Sequence, residues 1–205
     1  AGDRRLASLT AYRSLRFDAN LARSYFLIAL MQLTESVPKV DRDPKKSSAT
    51  VAFEQALVRD PEYGPTYFQL ARLYAGIHHD RVKAKELARK ALKKLRPVEK
   101  EVRYEAEILL GALYSADAEY AEALKVFREA LAEHGDRVYR KADVGLLLAR
   151  MGRPEQARRE WNLVIRKFGL ADPTGLKAYR QLHKRQPGSI DLSAFLPASA
   201  TRTDY

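Results

Sequence analysis

The residues with chemistry to offer are few, and their spacing suits little of it. Four histidines and no cysteine occur in 205 residues, so thiolate nucleophiles, disulfides and cysteine-based metal sites are excluded together. His78 and His79 are adjacent; on a helix such neighbours point about 100° apart, and in the turn before Asp80 they have no third ligand close by. His134, beside Gly135, and His183, on a basic stretch, read as surface residues. Glu105 with Glu107, and Glu119 with Glu122, have the spacing of carboxylates on an exposed helix face. No G-x-S-x-G, H-E-x-x-H, P-loop or G-x-G-x-x-G motif is present. Catalytic residues, a metal and a cofactor are therefore not expected.

Charge is the next candidate. Lys and Arg number 37 against 26 Asp and Glu, a formal net charge of +11, which favours acidic partners. The stretch from Arg81 to Arg96 carries Lys83, Lys85, Arg89, Lys90, Lys93 and Lys94, and Arg150, Arg153, Arg158, Arg159, Arg166, Lys167, Arg180, Lys184 and Arg185 follow later. Counterion release from such a surface would hold nucleic acid without sequence preference. Stacking recognition adds exposed aromatic rings between the charges, whereas here most rings fall on core positions, so a largely solvated basic face is expected. The longest apolar run, Tyr25 to Leu33, is about half of a bilayer span, so no transmembrane segment is expected. The first residues lack both an initiator Met and the layout of a signal peptide. Absence of cysteine fits a reducing cytoplasm or an oxidising bacterial envelope equally.

Positioning of these side chains depends on a period of 34 residues. Leu110 and Gly111 recur as Val144 and Gly145, Ala123 as Ala157, and Phe127 as Trp161. Close helix pairing accounts for the pattern, with a small residue where two helices touch and a ring where the next pair must be filled; Trp161 is thus a core filler. Tyr67, Leu70, Ala71 and Tyr74 with Ala84, Ala88 and Ala91 make an earlier copy, and Tyr25, Ile28 and Ala29 with Phe53 and Ala56 a first one. Pro65 and Pro154 suit first helical turns, Asp80, Asp117 and Asp172 are placed to cap helix starts, and Gly76 and Gly152 mark turns.

This pattern resembles the tetratricopeptide repeat family, whose units read W-x2-L-G-x2-Y and then A-x3-F. The resemblance implies an all-α, right-handed solenoid of helix-turn-helix units closed by a capping helix. On that register, residues 1–21 form the second helix of a truncated or capping repeat, and residues 22–63 a repeat with an inserted loop at about 35–48. Repeats follow at 64–98, 99–137 and 138–171, then a capping helix at 172–186 and an extended or disordered tail at 187–205. The opening half-repeat suggests a chain trimmed upstream and part of a larger protein. Bacterial assembly lipoproteins, including those of type IV pili, use similar arrays, though no residue singles them out.

In the resembled family the first helix of each repeat lines a concave groove. Here that face holds Phe26, Leu30 and Leu33, then Phe68, Arg72 and Ala75, then Ile108, Ala112 and Ser115, then Ala142, Leu146 and Ala149, with Tyr139 at the rim. The family's chaperone-binding members grip a peptide carboxylate with Lys, Asn and Arg; the matching slots hold Phe26, Leu30, Phe68 and Leu109, so that clamp is absent. The implied function is a non-enzymatic adaptor or scaffold binding a peptide or helix of another protein, with Arg72 meeting an acidic group or a carbonyl. The alternative is a basic module for nucleic acid or an anionic membrane or polymer surface. The reading ranked below this groove has part of the stripe covered by neighbouring helices or by the tail, whose Ile190, Leu192, Phe195 and Leu196 would dock on an apolar surface. No feature of the sequence selects the partner or an oligomeric state.

Overall fold

A computed structural model describes residues 6, 9–14, 21–34, 48–135 and 140–183. Residues 6 and 9–14 are helical. Among the described residues nine further helices follow: α1 (Ala22–Thr34), α2 (Ser48–Arg59), α3 (Gly64–Gly76), α4 (Arg81–Lys94), α5 (Lys100–Ala116), α6 (Tyr120–Glu133), α7 (Lys141–Arg150), α8 (Pro154–Phe168) and α9 (Pro173–Leu182). No strand occurs among the described residues. They form two compact units, one running to Arg103 and the other starting at Tyr104, so the division falls inside α5. The tail and the stretch expected as an inter-helix insertion, residues 35–47, lie outside the described residues, as does Tyr139.

In the N-terminal unit α1 packs on α2 and α3 on α4. Phe53 of α2 is fully buried, with Phe26 of α1 at 5.6 Å between ring centroids. At the end of α2, Arg59 lays its guanidinium 4.1 Å from the centre of the Tyr25 ring and donates to its hydroxyl at 3.1 Å. The start of α3 runs so close to the end of α4 that a Cβ on Gly64 would lie 2.6 Å from the Leu95 backbone nitrogen. Asp80 caps α4, accepting from the Lys83 N–H at 2.9 Å. The last carbonyls of α4 are met by Arg103, which donates to Leu92 O at 3.2 Å and Leu95 O at 2.7 Å, the placement a helix C-terminus favours for a cation.

The C-terminal unit shows what the 34-residue period encodes. A Cβ on Gly111 of α5 would lie 2.8 Å from the Phe127 ring of α6, and one on Gly145 of α7 would lie 2.5 Å from the Trp161 indole of α8. Each ring therefore rests on bare backbone. Trp161 also donates its indole N–H to Ala142 O at 3.0 Å, so the polar edge that burial would otherwise leave unsatisfied has a partner. Helix α9 packs on α8, with Asp172 capping it through the Thr174 N–H at 2.7 Å.

The turns inside three helix pairs each pass through one left-handed residue. His79, Ala118 and Gly152 adopt φ of 51°, 60° and 72°, and each sits two residues before the second helix of its pair. The next residue donates its N–H back to the closing turn of the first helix: Asp80 to Tyr74 O at 2.9 Å, Glu119 to Tyr114 O at 2.9 Å and Arg153 to Leu148 O at 2.8 Å. At Ala118 and Gly152, whose own N–H groups reach Ser115 O and Ala149 O at 3.1 Å, this is a Schellman closure, whereas the His79 turn spans one residue more. Two sequence expectations are corrected by it. Gly76 is the last residue of α3 and not the turn, where His79 takes the left-handed conformation instead. Asp117 does not cap α6: the cap position is Glu119, whose side chain makes no capping hydrogen bond.

Candidate functional site

Helix α1 presents Phe26, Leu30 and Leu33 on one stripe, at spacings of four and three residues. All three are half-buried, while Ile28 and Ala29 beside them are core. Phe26 is held in place by Phe53 and by Tyr63, whose ring meets it edge-on at 5.2 Å. Burial pushes the Tyr63 hydroxyl above its usual value. On α3, Arg72 is half-buried, accepted by the Gln69 amide oxygen at 3.1 Å and 5.8 Å from the centre of the Phe68 ring.

The remaining groove candidates lie deeper than their spacing implies. Phe68 is 3% exposed, Ile108 0%, Ala112 1% and Leu146 5%; these side chains contribute to the core. Of the apolar groove-face positions, Phe26, Leu30 and Leu33 on α1 keep accessible surface, as do the smaller Ala75 and Ala149.

The histidines are more structural than their sequence positions suggested. His78 shares a hydrogen bond between Nε2 and Thr50 Oγ1 at 3.1 Å, and its ring lies 4.5 Å from that of Tyr74. His183 is exposed. His134 is not the surface residue expected: its side chain is 8% exposed and lies against the Tyr104 ring, 5.0 Å between centroids, near the Glu107 carboxylate. No local sequence signal marks this, because Tyr104 and Glu107 belong to the preceding helix.

Much of the basic surface is internally balanced. Glu86 accepts from Lys90 at 2.8 Å and Lys83 at 3.3 Å, Lys94 pairs with Glu62, and Arg96 reaches Glu99 at 3.0 Å. The hydrogen bond from Lys90 holds the Glu86 carboxyl below its usual value. On helix α8, Arg158, Arg159, Arg166 and Lys167 are exposed opposite the buried Ala157, Trp161 and Val164, with Arg158 3.9 Å from Glu155. Among the described residues only Tyr12 and Tyr179 are exposed aromatics. Two concavities of about 340 and 310 Å³ occur in the C-terminal unit, the first lined by Lys141, Leu163, Arg166 and Lys167 and the second including Arg128 and Glu160. Lys141, which lines both, lies 3.8 Å from the Glu160 carboxylate.

No family model and no curated protein matches this chain. Solved structures do. The structure described as "YrrB: a TPR protein with an unusual peptide-binding site" is similar with a TM-score of 0.65 at 17% identity, over 87% of this chain and 83% of that one. A crystal structure of MamA protein gives 0.64 at 16% identity, over 82% and 85%. This chain has the tetratricopeptide-repeat fold. Within that fold, Gly111 and Gly145 occupy the small-residue position of the first helix, and Phe127 and Trp161 the ring position of the second. Among the described residues no helix is long and apolar enough to cross a membrane.

Proposed function

We propose that this chain is a non-enzymatic interaction module that holds an extended peptide or helix of another protein against the first helices of its tetratricopeptide repeats. The observation that carries the reading is the Phe26, Leu30 and Leu33 stripe, which stays partly accessible while Ile28 and Ala29 on the same helix are buried in the core. Apolar side chains of the partner would pack on this stripe, and Arg72 would pair with a carboxylate or a backbone carbonyl. Phe68, Ile108, Ala112 and Leu146, on the other first helices, are buried. The peptide-binding site named for YrrB supports this use of the fold. Display selection of peptides against the chain, followed by anisotropy titration of the best binder, tests it. Phe26→Glu with Leu33→Glu is expected to weaken binding at least tenfold, about 1.4 kcal/mol or more, with helical content unchanged. Binding indifferent to both substitutions would sink the reading.

A second reading rests on α8, whose exposed Arg158, Arg159, Arg166 and Lys167 could meet nucleic acid or an anionic surface. The ion pairs at Glu62, Glu86 and Glu99 reduce the charge available on α4 and rank it second.

A further inference from the structure

The side chains of Glu107, Glu133 and His134 converge in the C-terminal unit, with one ligand-type atom of each within 4.8 Å of the others. Two features separate this group from an ordinary surface cluster. The His134 side chain is more than nine-tenths buried, and its Nε2 has no hydrogen-bond partner, a state that buried polar atoms rarely keep without a reason. That nitrogen points at the Glu107 carboxylate across 3.8 Å, too far for a hydrogen bond. Two ligands of a tetrahedral ion with bonds of about 2.1 Å stand about 3.4 Å apart, so a modest closing of the three side chains would admit one.

We propose that His134 Nε2, Glu107 and Glu133 form a binding site for a divalent first-row transition ion, with Zn²⁺ the best match. One imidazole and two carboxylates suit zinc, whereas calcium and magnesium take all-oxygen sets. The frame is rigid where it must be. His134 closes α6 through its backbone N–H to Ala130 O at 2.9 Å, and the Tyr104 ring, tilted 62° to the imidazole, fixes its plane. Two carboxylates and a neutral imidazole match a dication in charge, and the Arg140 guanidinium, which also interacts with Tyr104, is drawn to Asp143 at 3.0 Å. Glu133 is exposed, giving the ion a route from solvent and leaving the fourth position to water.

The test is calorimetric titration of the full chain, free of any histidine tag, with zinc chloride at pH 7.5, alongside the thermal midpoint with and without EDTA. One ion per chain is expected, with a midpoint that rises with zinc and falls back on chelation. Glu133→Gln is expected to weaken affinity at least about tenfold, the loss that follows removal of even an outer partner of a metal ligand, and His134→Ala to abolish it; His79→Ala serves as the control and leaves binding intact. Glu133 ends a helix on the surface, so its variant decides the matter whatever His134→Ala does to folding. Binding no tighter than millimolar, or undiminished affinity in either site variant, overturns the proposal.

Discussion

At the scale of single residues, the chain uses glycine to bring rings onto backbone. Gly111 under Phe127 and Gly145 under Trp161 leave no room for a Cβ without displacing the ring. Leucine at Gly111 overpacks the α5–α6 contact and is expected to destabilise by about 1 to 3 kcal/mol. Chemical denaturation of the variant checks this, and an unchanged midpoint would refute the assigned register. These positions were legible in the sequence because size alternation at a fixed period is itself the packing rule. His134 was not, since its burial comes from Tyr104 and Glu107, about thirty residues earlier, and no local pattern records that. Phe68 and Ile108 sit deeper than their spacing implies for a related reason: a stripe of apolar residues has the same spacing whether its face is open or covered.

At the scale of helices and turns, three pairs turn through a left-handed residue but only one places glycine there. Gly152 adopts φ 72° at no steric cost, while Ala118 adopts φ 60° with a Cβ. Caps at Asp80 and Asp172 could be read from sequence because a short acceptor followed by a helix-forming run is a local signal. The position of the left-handed residue could not, since His79 and Ala118 carry no marker for it, and so Gly76 and Asp117 drew attention instead. Ala118→Gly relieves that conformation while making the unfolded chain freer, and the first effect is the larger. The expected outcome is a gain of about 0.5 to 1 kcal/mol, read as a higher midpoint in thermal or denaturant unfolding. Gly152→Ala is expected to lose a similar amount at the equivalent turn, so the two changes together form an internal control.

At the scale of the whole molecule, the question is whether a net charge of +11 makes a nucleic-acid binder. Net charge sets a long-range attraction, but binding that survives physiological salt needs many cations on phosphates at once or bases stacked on rings. On α4, Lys83, Lys90 and Lys94 already face carboxylates, as does Arg96 just beyond it. Exposed pairs of this kind add little stability, yet each places a negative charge where a phosphate would otherwise sit. Helix α8 carries four exposed Arg and Lys residues, of which Arg158 lies 3.9 Å from Glu155, and turns the aromatic ring of Trp161 to the core. Four phosphate contacts on a duplex imply a salt slope of about −3.6, so affinity measured at 50 mM salt falls about 150-fold by 200 mM. Anisotropy with a labelled duplex across that range is expected to show this steep loss, further reduced by Arg158→Glu with Arg166→Glu, while peptide binding on α1 is unaffected. Duplex binding that holds its affinity at 200 mM salt would reverse the order of the two functional readings.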